Sequence, residues 1–314
     1  MNEKIQVITK KNFPLVSIIT INYNTTQITC ELIESLNSIT YPNIEIIVVD
    51  NNSTLNKPRI IKEKYPGIIL IESQINVGFP GGNNLGIMRA KGEYILLINN
   101  DCVVTKYFLE PLIEKFENNP KIGAISPKIR FFHTPEKIQF AGIKPINKYT
   151  IRNHAIGYWE EDKGQYDNDS ETYCIHGAAM IIPIKIIKEI GLMSYIYFLY
   201  YEELDWMERI KKAGYTLYYI HNSLVYHKES KSTGKISPLK TYYINRNRIL
   251  YLRRNIHGST FIIALIYQIF IAIPKNSVLF LIKGKFSLFY AYISAIIWHL
   301  KNLFNKDIHE NPKL

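Results

Sequence analysis

The sequence has few cysteines, and they do not form a metal-binding pattern. Its 314 residues include three, Cys30, Cys102 and Cys174, without a CxxC pair or a Cys/His ligand pattern. A structural zinc site and a disulfide framework are therefore not expected. Stability has to come from apolar packing, for which an apolar content of 47% is ample.

Acidic residues are missing from a long C-terminal stretch. None occurs between Glu229 and Asp307, while lysines and arginines recur there, so the net charge of +11 belongs mainly to this segment. Two uncharged runs of fifteen residues lie within it, at 260–274 and 286–300. A spanning helix needs about twenty apolar residues, so each run is short. The pattern favours two helices that lie in or dip into an anionic membrane surface, with lysines at the lipid headgroups. A buried helical hairpin is the main alternative and a spanning hairpin the lesser one.

The N-terminus lacks the apolar core and the small-residue cleavage site of a signal peptide. We therefore expect a cytoplasmic protein, peripheral on the inner face of the cell membrane. A nucleic-acid partner is not expected, because the basic residues alternate with long apolar runs and do not form an exposed stripe.

Short β-branched runs alternate with helical patterns through the first hundred residues. The predicted strands are 16–21, 44–49, 67–73 and 94–99, and the predicted helices are 27–38, 57–64 and 84–91. A polar loop follows at 147–172 and is predicted to be mobile; a strand within 176–183 and a helix within 198–215 come after it. Such alternation is typical of an α/β fold with a doubly wound, mostly parallel, Rossmann-like sheet.

Each of the first four predicted strands ends in asparagine or aspartate. The residues are Asn22, Asn24, Asp50, Asn52, Asn76, Asn99, Asn100 and Asp101. A single residue of this kind is ordinary turn chemistry. Right-handed crossovers, however, place all four strand ends at one edge of the sheet, where open α/β sheets bind ligands. The pattern therefore favours a ligand cleft, with Asp101 as a candidate metal or phosphate residue.

Three carboxylates, Glu202, Glu203 and Asp205, begin the later predicted helix. Acids in a first turn are favoured by the helix dipole, which is the ordinary interpretation. The aromatic neighbours Tyr200 and Trp206 would desolvate a carboxylate and raise its proton affinity, which suits a general base.

With these pieces in order, the chain resembles the family 2 glycosyltransferases of the GT-A fold, and among them the bacterial rhamnosyltransferase-like branch. The motifs that carry the resemblance are IITINYN (18–24), VVDNNS (48–53), NVGFPGGNNLGI (76–87), LLINND (96–101), GAAMIIP (177–183), YYEELDWMERIKKAGY (200–215), LVYH (224–227) and YYINRNRILYLRRN (242–255). They cover residues 16 to about 255 in the family's order. We therefore predict a catalytic domain at 1–255 and a basic, apolar helical extension at 256–314.

The resemblance implies an inverting enzyme of cell-surface polysaccharide synthesis. It would move a sugar from a UDP- or dTDP-sugar, such as dTDP-rhamnose, to a saccharide or lipid-linked saccharide acceptor. Direct transfer to a polyprenyl phosphate is one alternative, and a nucleotide-sugar-binding protein with weak catalysis is another. Inverting transfer needs a base for the acceptor hydroxyl and positive charge on the departing diphosphate.

The resemblance also assigns roles to individual residues. Asp50 would bind the pyrimidine, and Asp101 would ligate Mg²⁺ or Mn²⁺. Asn99 replaces the first aspartate of a full DxD motif and leaves one charge fewer for the metal. His227 matches the family histidine near the metal and the diphosphate, a structural histidine being the alternative. Glu203 matches the position of the base, where the family usually has aspartate, and Asp205 is the reserve candidate.

Further donor contacts are implied for Gly78, Gly81, Gly82, Asn83, Arg246 and Arg248. The glycines would let the backbone approach the nucleotide, although a glycine-rich helix start is the alternative. The arginines offer planar forks to phosphate oxygens. A solvated basic face is the alternative for Arg248 and the preferred interpretation for Arg253 and Arg254.

Overall fold

The computed structural model describes residues 13–55, 57–229 and 237–314. Its first half alternates strands with helices: β1 (Val16–Asn22), α1 (Thr26–Leu36), β2 (Ile44–Asp50), α2 (Arg59–Lys64), β3 (Ile69–Glu72), α3 (Gly78–Arg89) and β4 (Tyr94–Ile98). The four predicted strands and the first two predicted helices are confirmed to within about two residues at each end. The third helix begins six residues before its predicted start of 84, because the glycine-rich motif forms its first turns.

The middle of the chain, residues 102–227, adds six strands and three helices. They are β5 (Cys102–Val104), α4 (Glu110–Asn118), β6 (Ile122–Phe131), β7 (Ile138–Phe140), β8 (Ser170–Glu171), β9 (Ala179–Pro183), α5 (Ile184–Ile190), α6 (Glu202–Lys212) and β10 (Thr216–His227). A 3₁₀ turn, Tyr195–Tyr197, precedes α6.

One sheet contains all of these strands, in the order β3-β2-β1-β4-β9-β6-β10-β5, with β7 on β6 and β8 on β10. The first four strands are parallel, as predicted. β9 runs antiparallel between β4 and β6, and β10 runs parallel to β6. The α/β class is confirmed. The second half of the sheet contains both parallel and antiparallel pairs of strands.

The sheet is covered by helices on both faces because its strands are apolar on both faces. On β1, Ile18 belongs to one core with Leu32 of α1, and Ile19 belongs to a second core with Ile87 of α3. α3 lies so close to β1 that a Cβ at Gly86 would come within 2.3 Å of the Ile19 side chain. This packing fixes the start of α3 over the carboxyl ends of the parallel strands.

The polar segment 147–172 is tied to the sheet, contrary to the prediction of a mobile loop. Lys137 pairs with Glu161 and Ile143 with Ala155 through isolated β-bridges. Asp162 lies between Lys128 and Arg130 of β6, with Lys128 Nζ 3.0 Å and Arg130 Nε 2.8 Å from Oδ2. The side chains of Lys128 and Asp162 are 4% and 1% exposed, so this ion pair is an internal anchor.

The C-terminal part is helical and consists of α7 (Pro238–Asn255), α8 (Gly258–Tyr267), α9 (Ile273–Ile282) and α10 (Phe286–Lys301). A π-helical turn, Gln268–Ala272, joins α8 to α9, so one helix of 25 residues runs from Gly258 to Ile282. The helix does not end with the first apolar run at Pro274, because the π turn comes before the proline and the helix continues through it. By length and composition alone, this helix could cross a membrane. Most of its residues are not buried against the rest of the protein.

The last residues return to the main body of the protein. Arg254 Nη2 donates to Asn311 Oδ1 at 2.5 Å, and the Leu192 N–H donates to the Pro312 carbonyl at 2.8 Å. The Ser194 hydroxyl donates to the Glu310 carbonyl at 3.3 Å. The helices at 258–301 therefore lie between two segments that are both attached to the sheet-containing part of the chain.

Candidate functional site

A cleft with a volume of about 870 Å³ opens at the carboxyl ends of the parallel strands. The strand ends and α3 contribute Asn51, Asn76, Gly78, Asn83, Asn99, Asn100, Asp101 and His227 to its lining. The segment before α6 contributes Phe198, Leu199 and Tyr200, and the 147–172 loop contributes Tyr158 and Trp159. The predicted meeting of the strand ends at one edge is thus present in the structure.

Asp101 and His227 face each other across the ends of β4 and β10. Asp101 Oδ1 lies 3.1 Å from His227 Nε2, and Asp101 Oδ2 is buried without a hydrogen-bond partner among the described residues. His227 Nδ1 lies 2.8 Å from Gln139 Oε1. Since an amide oxygen only accepts hydrogen bonds, Nδ1 donates to Gln139, and an unprotonated Nε2 would face the carboxylate as a second acceptor. Two acceptors at this distance repel each other unless a cation or a second proton lies between them.

This arrangement fits a hard divalent cation. One carboxylate and one imidazole leave coordination positions open for phosphate oxygens, as Mg²⁺ and Mn²⁺ sites commonly do. Cys102 Sγ lies within 4.8 Å of the same ligand atoms. Burial raises the pKa of the Cys102 thiol well above its ordinary value, and its Sγ donates to the Ala178 carbonyl at 3.4 Å. Cys102 is therefore a structural thiol.

The two asparagines before Asp101 have different surroundings. Asn99 Nδ2 lies 3.5 Å from His227 Nε2 at the edge of the metal candidate. Asn100 Nδ2 donates to Thr25 Oγ1 at 2.7 Å and to Thr29 Oγ1 at 2.9 Å. Asn100 thereby ties the end of β4 to the start of α1.

Asp50 lies behind the cleft lining, in a network that joins the ends of β1 and β2. Asp50 is 2% exposed, and its Oδ1 accepts from Asn22 Nδ2 at 2.7 Å and from Ser53 Oγ at 2.5 Å. Its Oδ2 accepts from the Ser53 N–H at 2.9 Å. Asn24, at a φ of 57°, accepts the N–H groups of residues 54 and 55. Asn52, at a φ of 65°, is exposed. These contacts shape the loop, and the binding of a pyrimidine by Asp50 stays a prediction.

The glycines of α3 are needed first for contacts within the chain. Gly78 has a φ of 74°, and a Cβ there would lie 2.3 Å from the Phe198 carbonyl oxygen. A Cβ at Gly82 would lie 2.9 Å from Ile21, and one at Gly81 would lie 2.6 Å from Val77. At these positions the absence of a side chain therefore allows close packing within the chain itself. The predicted close approach of the backbone to a nucleotide stays a prediction. Nearby, Asn83 lines the cleft and donates to the carbonyl of residue 79 at 3.0 Å.

The segment before α6 is strained and held from both sides. Phe198, Tyr200 and Tyr201 have φ values of 62°, 69° and 74°, which cost roughly 1–3 kcal/mol each for residues with a side chain. The Phe79 N–H donates to the Phe198 carbonyl at 2.7 Å. From α7, Asn247 Nδ2 donates to the carbonyls of residues 197, 199 and 200 at 2.9, 2.7 and 2.7 Å. Sequence reasoning missed Asn247, although it lies between the two arginines of YYINRNR.

The three acids of α6 have different environments. Glu202 is 3% exposed and its Oε2 is without a hydrogen-bond partner in the part of the chain that the structure describes. Burial, reinforced by the charge of Glu203, raises the pKa of Glu202 well above its ordinary value. Glu203 is partly exposed, and burial raises the pKa of its carboxyl as well. Glu203 is therefore the acid of this group that combines partial exposure with a raised proton affinity, and it is not among the residues that line the cleft.

Asp205 has a structural environment, which argues against its prediction as a reserve base. It is 1% exposed, and its Oδ1 accepts from Arg254 Nε at 2.8 Å, Asn255 Nδ2 at 2.8 Å and the Tyr197 hydroxyl at 3.0 Å. Burial alone would raise the pKa of Asp205, but the hydrogen bond and charge of Arg254 hold it below its ordinary value. An ionised, fully paired carboxylate is a poor proton acceptor.

The arginines of α7 also differ from their predicted roles. Arg246 is 6% exposed, and its Nη2 donates to the carbonyls of Ile196 and Tyr197, both at 2.6 Å. Arg248 Nε lies 3.2 Å from the Tyr201 hydroxyl, and neither arginine lines the cleft. Arg254, expected on a solvated face, is 8% exposed. Lys240 is the α7 cation that lines the cleft, and the sequence analysis did not single it out.

Comparisons with known proteins agree with this architecture. The family model described as glycosyl transferase family 2 matches residues 17–184. The N-acetylglucosaminyl-diphospho-decaprenol L-rhamnosyltransferase of Mycobacterium tuberculosis is 21% identical over 221 residues, which are 64% of this chain and 72% of that protein.

Two solved structures are similar in fold. The mannosyltransferase PcManGT from Pyrobaculum calidifontis, in complex with GDP-Man and Mn²⁺, superposes with a TM-score of 0.58 at 16% identity, over 94% of this chain and 89% of that one. S. aureus TarS in complex with UDP gives a TM-score of 0.54 at 15% identity, over 81% and 71%. These likenesses confirm the predicted GT-A fold.

Proposed function

The chain belongs to the family 2 glycosyltransferases, and we propose that it transfers a sugar, with inversion, from a UDP- or dTDP-sugar to a saccharide on a lipid carrier. One observation carries the proposal. The buried Asp101 carboxylate, with an oxygen that has no partner among the described residues, faces Nε2 of His227 in a cleft whose volume suits a nucleotide-sugar. Three of the similar proteins support it. TarS is described in complex with UDP and PcManGT in complex with GDP-Man, and the mycobacterial relative is named for a sugar linked to decaprenol through a diphosphate.

Asp101 and His227 would hold a divalent metal ion, either Mg²⁺ or Mn²⁺. Such an ion supplies positive charge for the departing diphosphate. Lys240 lines the same cleft and adds a second positive charge for the phosphate oxygens. Asn99, beside His227, is placed to donate a hydrogen bond and does not replace the missing acidic ligand.

Glu203 is the proposed general base. The acceptor hydroxyl oxygen attacks the anomeric carbon from the face opposite the diphosphate, and the bond from that carbon to the diphosphate oxygen breaks. The hydroxyl proton passes to the Glu203 carboxylate, and the nucleoside diphosphate leaves with the electron pair. Burial raises the pKa of Glu203, so its carboxylate accepts a proton more readily than an exposed glutamate does. The strained segment 198–201 sets where α6 begins and so where this carboxylate lies.

The C-terminal helices support a membrane-bound acceptor. Helix 258–282 and α10 expose many large apolar side chains: Ile262, Ile263, Ile266, Phe270, Ile271, Ile282, Phe286, Tyr290 and Leu300. Soluble proteins rarely expose contiguous apolar surface of this extent. Lys275, Lys283 and Lys285 are exposed in the same segment, as expected beside anionic headgroups. We infer that the protein binds the cytoplasmic face of the membrane, where a lipid-linked acceptor would be presented.

The test combines nucleotide binding with a donor screen. Isothermal titration of UDP and dTDP into the purified protein should show binding that requires Mn²⁺ and is lost with a chelator. Asp101→Ala should weaken that binding at least roughly tenfold, since it removes the charged ligand. Glu63→Ala, which removes an exposed carboxylate on α2, should have no effect. Donor turnover with a panel of nucleotide-sugars then identifies the sugar.

Two outcomes would contradict the proposal. Equal nucleotide affinity in Asp101→Ala and wild type would remove the metal assignment. Metal-dependent binding without turnover of any donor, alone or with lipid-linked acceptors, would instead indicate a nucleotide-sugar-binding protein.

A further inference from the structure

The cleft carries a pair of exposed aromatic residues that the reaction described above does not use. Tyr158 and Trp159 line the cleft, yet their side chains are 54% and 56% exposed. Trp159 has a φ of 69° and follows Gly157 at 74°, so a bulky residue is held in a region that side chains rarely occupy. Exposure, strain and position in a cleft occur here together.

The turn that carries these rings is firmly attached. The Trp159 N–H donates to the Ile138 carbonyl at 2.8 Å, and the Ile138 N–H donates to the Glu160 carbonyl at 2.9 Å. Two residues further, Asp162 forms its buried ion pairs with β6. Phe131 of β6 packs edge-on against Trp159, with ring centroids 4.4 Å apart at 89°. The aromatic faces are thus fixed in place while remaining open to a ligand.

The rings lie next to the metal candidate on the β6 side. Phe131 is the register partner of His227 between β6 and β10, and the Phe132 N–H donates to the His227 carbonyl at 3.0 Å. The Asp50 network, where the pyrimidine is expected, lies at the end of β2. In the strand order, β2 is four neighbours from β6, which is about 19 Å at the usual strand spacing. The exposed rings are therefore at the metal-candidate end of the cleft, away from the expected nucleoside end.

We propose that Tyr158 and Trp159 form an aromatic platform that binds a saccharide ring of the acceptor by stacking. The inference rests on the proposed function, because it takes the metal candidate as the diphosphate end of the donor. Sugar rings present a flat face of C–H groups, and rigid aromatic rings with polar edges provide a matching surface at little entropic cost. A nucleobase also stacks on aromatic rings, but it would lie at the β2 end of the cleft.

Intrinsic fluorescence provides a direct binding test. The chain has three tryptophans; Trp206 is fully buried and Trp298 is partly buried, so Trp159 is the one that reports on the cleft. The probes are octyl glycosides of glucose, N-acetylglucosamine, galactose, mannose and rhamnose, with an octyl oligo-oxyethylene detergent as the sugar-free control. At least one glycoside should quench the emission saturably, and this quenching should be absent from Trp159→Phe.

The second measurement separates acceptor from donor. The dissociation constant of the quenching glycoside is measured by calorimetry. Trp159→Ala should raise it roughly tenfold, which corresponds to about 1.4 kcal/mol. The affinity for UDP or dTDP with Mn²⁺ should change less than about twofold. Trp159→Phe, which keeps a flat ring, should recover most of the loss. Tyr107→Ala, which removes an exposed tyrosine (61%) outside the cleft lining, is the matched control and should bind like wild type.

The alternatives give distinct results. Saturable quenching by none of the glycosides, or equal quenching by the sugar-free detergent, would overturn the proposal. A Trp159→Ala variant that loses nucleotide affinity and keeps glycoside affinity would also overturn it and identify a nucleobase as the stacking partner. These experiments measure glycoside binding, whereas the proposed function is tested by donor turnover. A negative result in one therefore does not imply a negative result in the other.

Discussion

Replacing Asp205 with asparagine is expected to unfold the protein more easily, without directly impairing its chemistry. The Asp205 carboxylate accepts from Arg254 Nε at 2.8 Å and from Nη2 at 3.1 Å, and both side chains are at most 4% exposed. Removing one partner of a buried ion pair leaves the other charge uncompensated and costs roughly 3–5 kcal/mol. Since native stabilities are about 5–15 kcal/mol, this is a large share of the total.

The expected shift in melting temperature is large enough to measure. At about 2–4 °C per kcal/mol for a larger domain, the Asp205→Asn variant should melt roughly 6–20 °C below wild type. Glu203→Gln is the matched acid-to-amide control two residues away. It should not lower the melting temperature, because burial also raises the native pKa of Glu203. It should keep the donor affinity and lose turnover by at least roughly a hundredfold, as expected when a general base is removed.

The pH dependence provides a second signature of Asp205. Its native pKa is lowered, so the stabilisation from ionised Asp205 is fully present above the unfolded-state pKa of about 3.9 and is lost as the pH falls through the native pKa. The difference in unfolding free energy between wild type and Asp205→Asn should therefore be constant at neutral pH and shrink in acid. Chemical denaturation at several pH values measures it. If Asp205→Asn instead melts like wild type and loses turnover at least roughly a hundredfold, Asp205 is the base and Glu203 is not.

Two other substitutions probe the segment beside the proposed base. Asn247→Leu keeps the side-chain volume but removes a donor from three carbonyls, of which that of Tyr197 keeps Arg246. It should lower the unfolding free energy by roughly 1–3 kcal/mol and reduce turnover more than nucleotide affinity. Asn245→Leu on the same helix is the control, and an Asn247→Leu variant with wild-type turnover would refute the positioning role. Glu202→Gln should stabilise the protein at neutral pH, because burial raises the native pKa of Glu202 and its contribution is lost as the pH rises through that value. The stability gain should vanish below the unfolded-state pKa of about 4.3, and denaturation curves with equal pH dependence for variant and wild type would contradict this.

The sequence predicted the parts of the fold that local patterns determine. Runs such as VSIITI and IEIIVV are apolar on both faces, which requires a sheet with helices on both sides, and this is the structure found. The meeting of the strand ends followed from the handedness of parallel crossovers. The antiparallel direction of β9 could not be predicted in this way, because its apolar run is compatible with either direction.

The roles of individual charged residues depended on partners far away in the chain. Asp205 and Glu203 are two residues apart, and only the position of Arg254, 49 residues later, shows that Asp205 is structural. Likewise, the carbonyls that Arg246 binds belong to a segment 50 residues earlier. The platform at Trp159 was hidden in a polar loop, where composition does not show which aromatic side chains stay exposed.

The return of the C-terminal residues to the main body has a consequence for how the enzyme would meet its acceptors. The helices at 258–301 are attached at one end through α7 and at the other through Arg254, Ser194 and Leu192. A module on a single linker can swing, whereas a segment held at both ends cannot. If these helices rest on a bilayer, the opening of the cleft stays at a fixed height and tilt above the lipid. The enzyme would then select acceptors by how far the growing glycan rises from its lipid anchor, and it would search for them by diffusion in two dimensions.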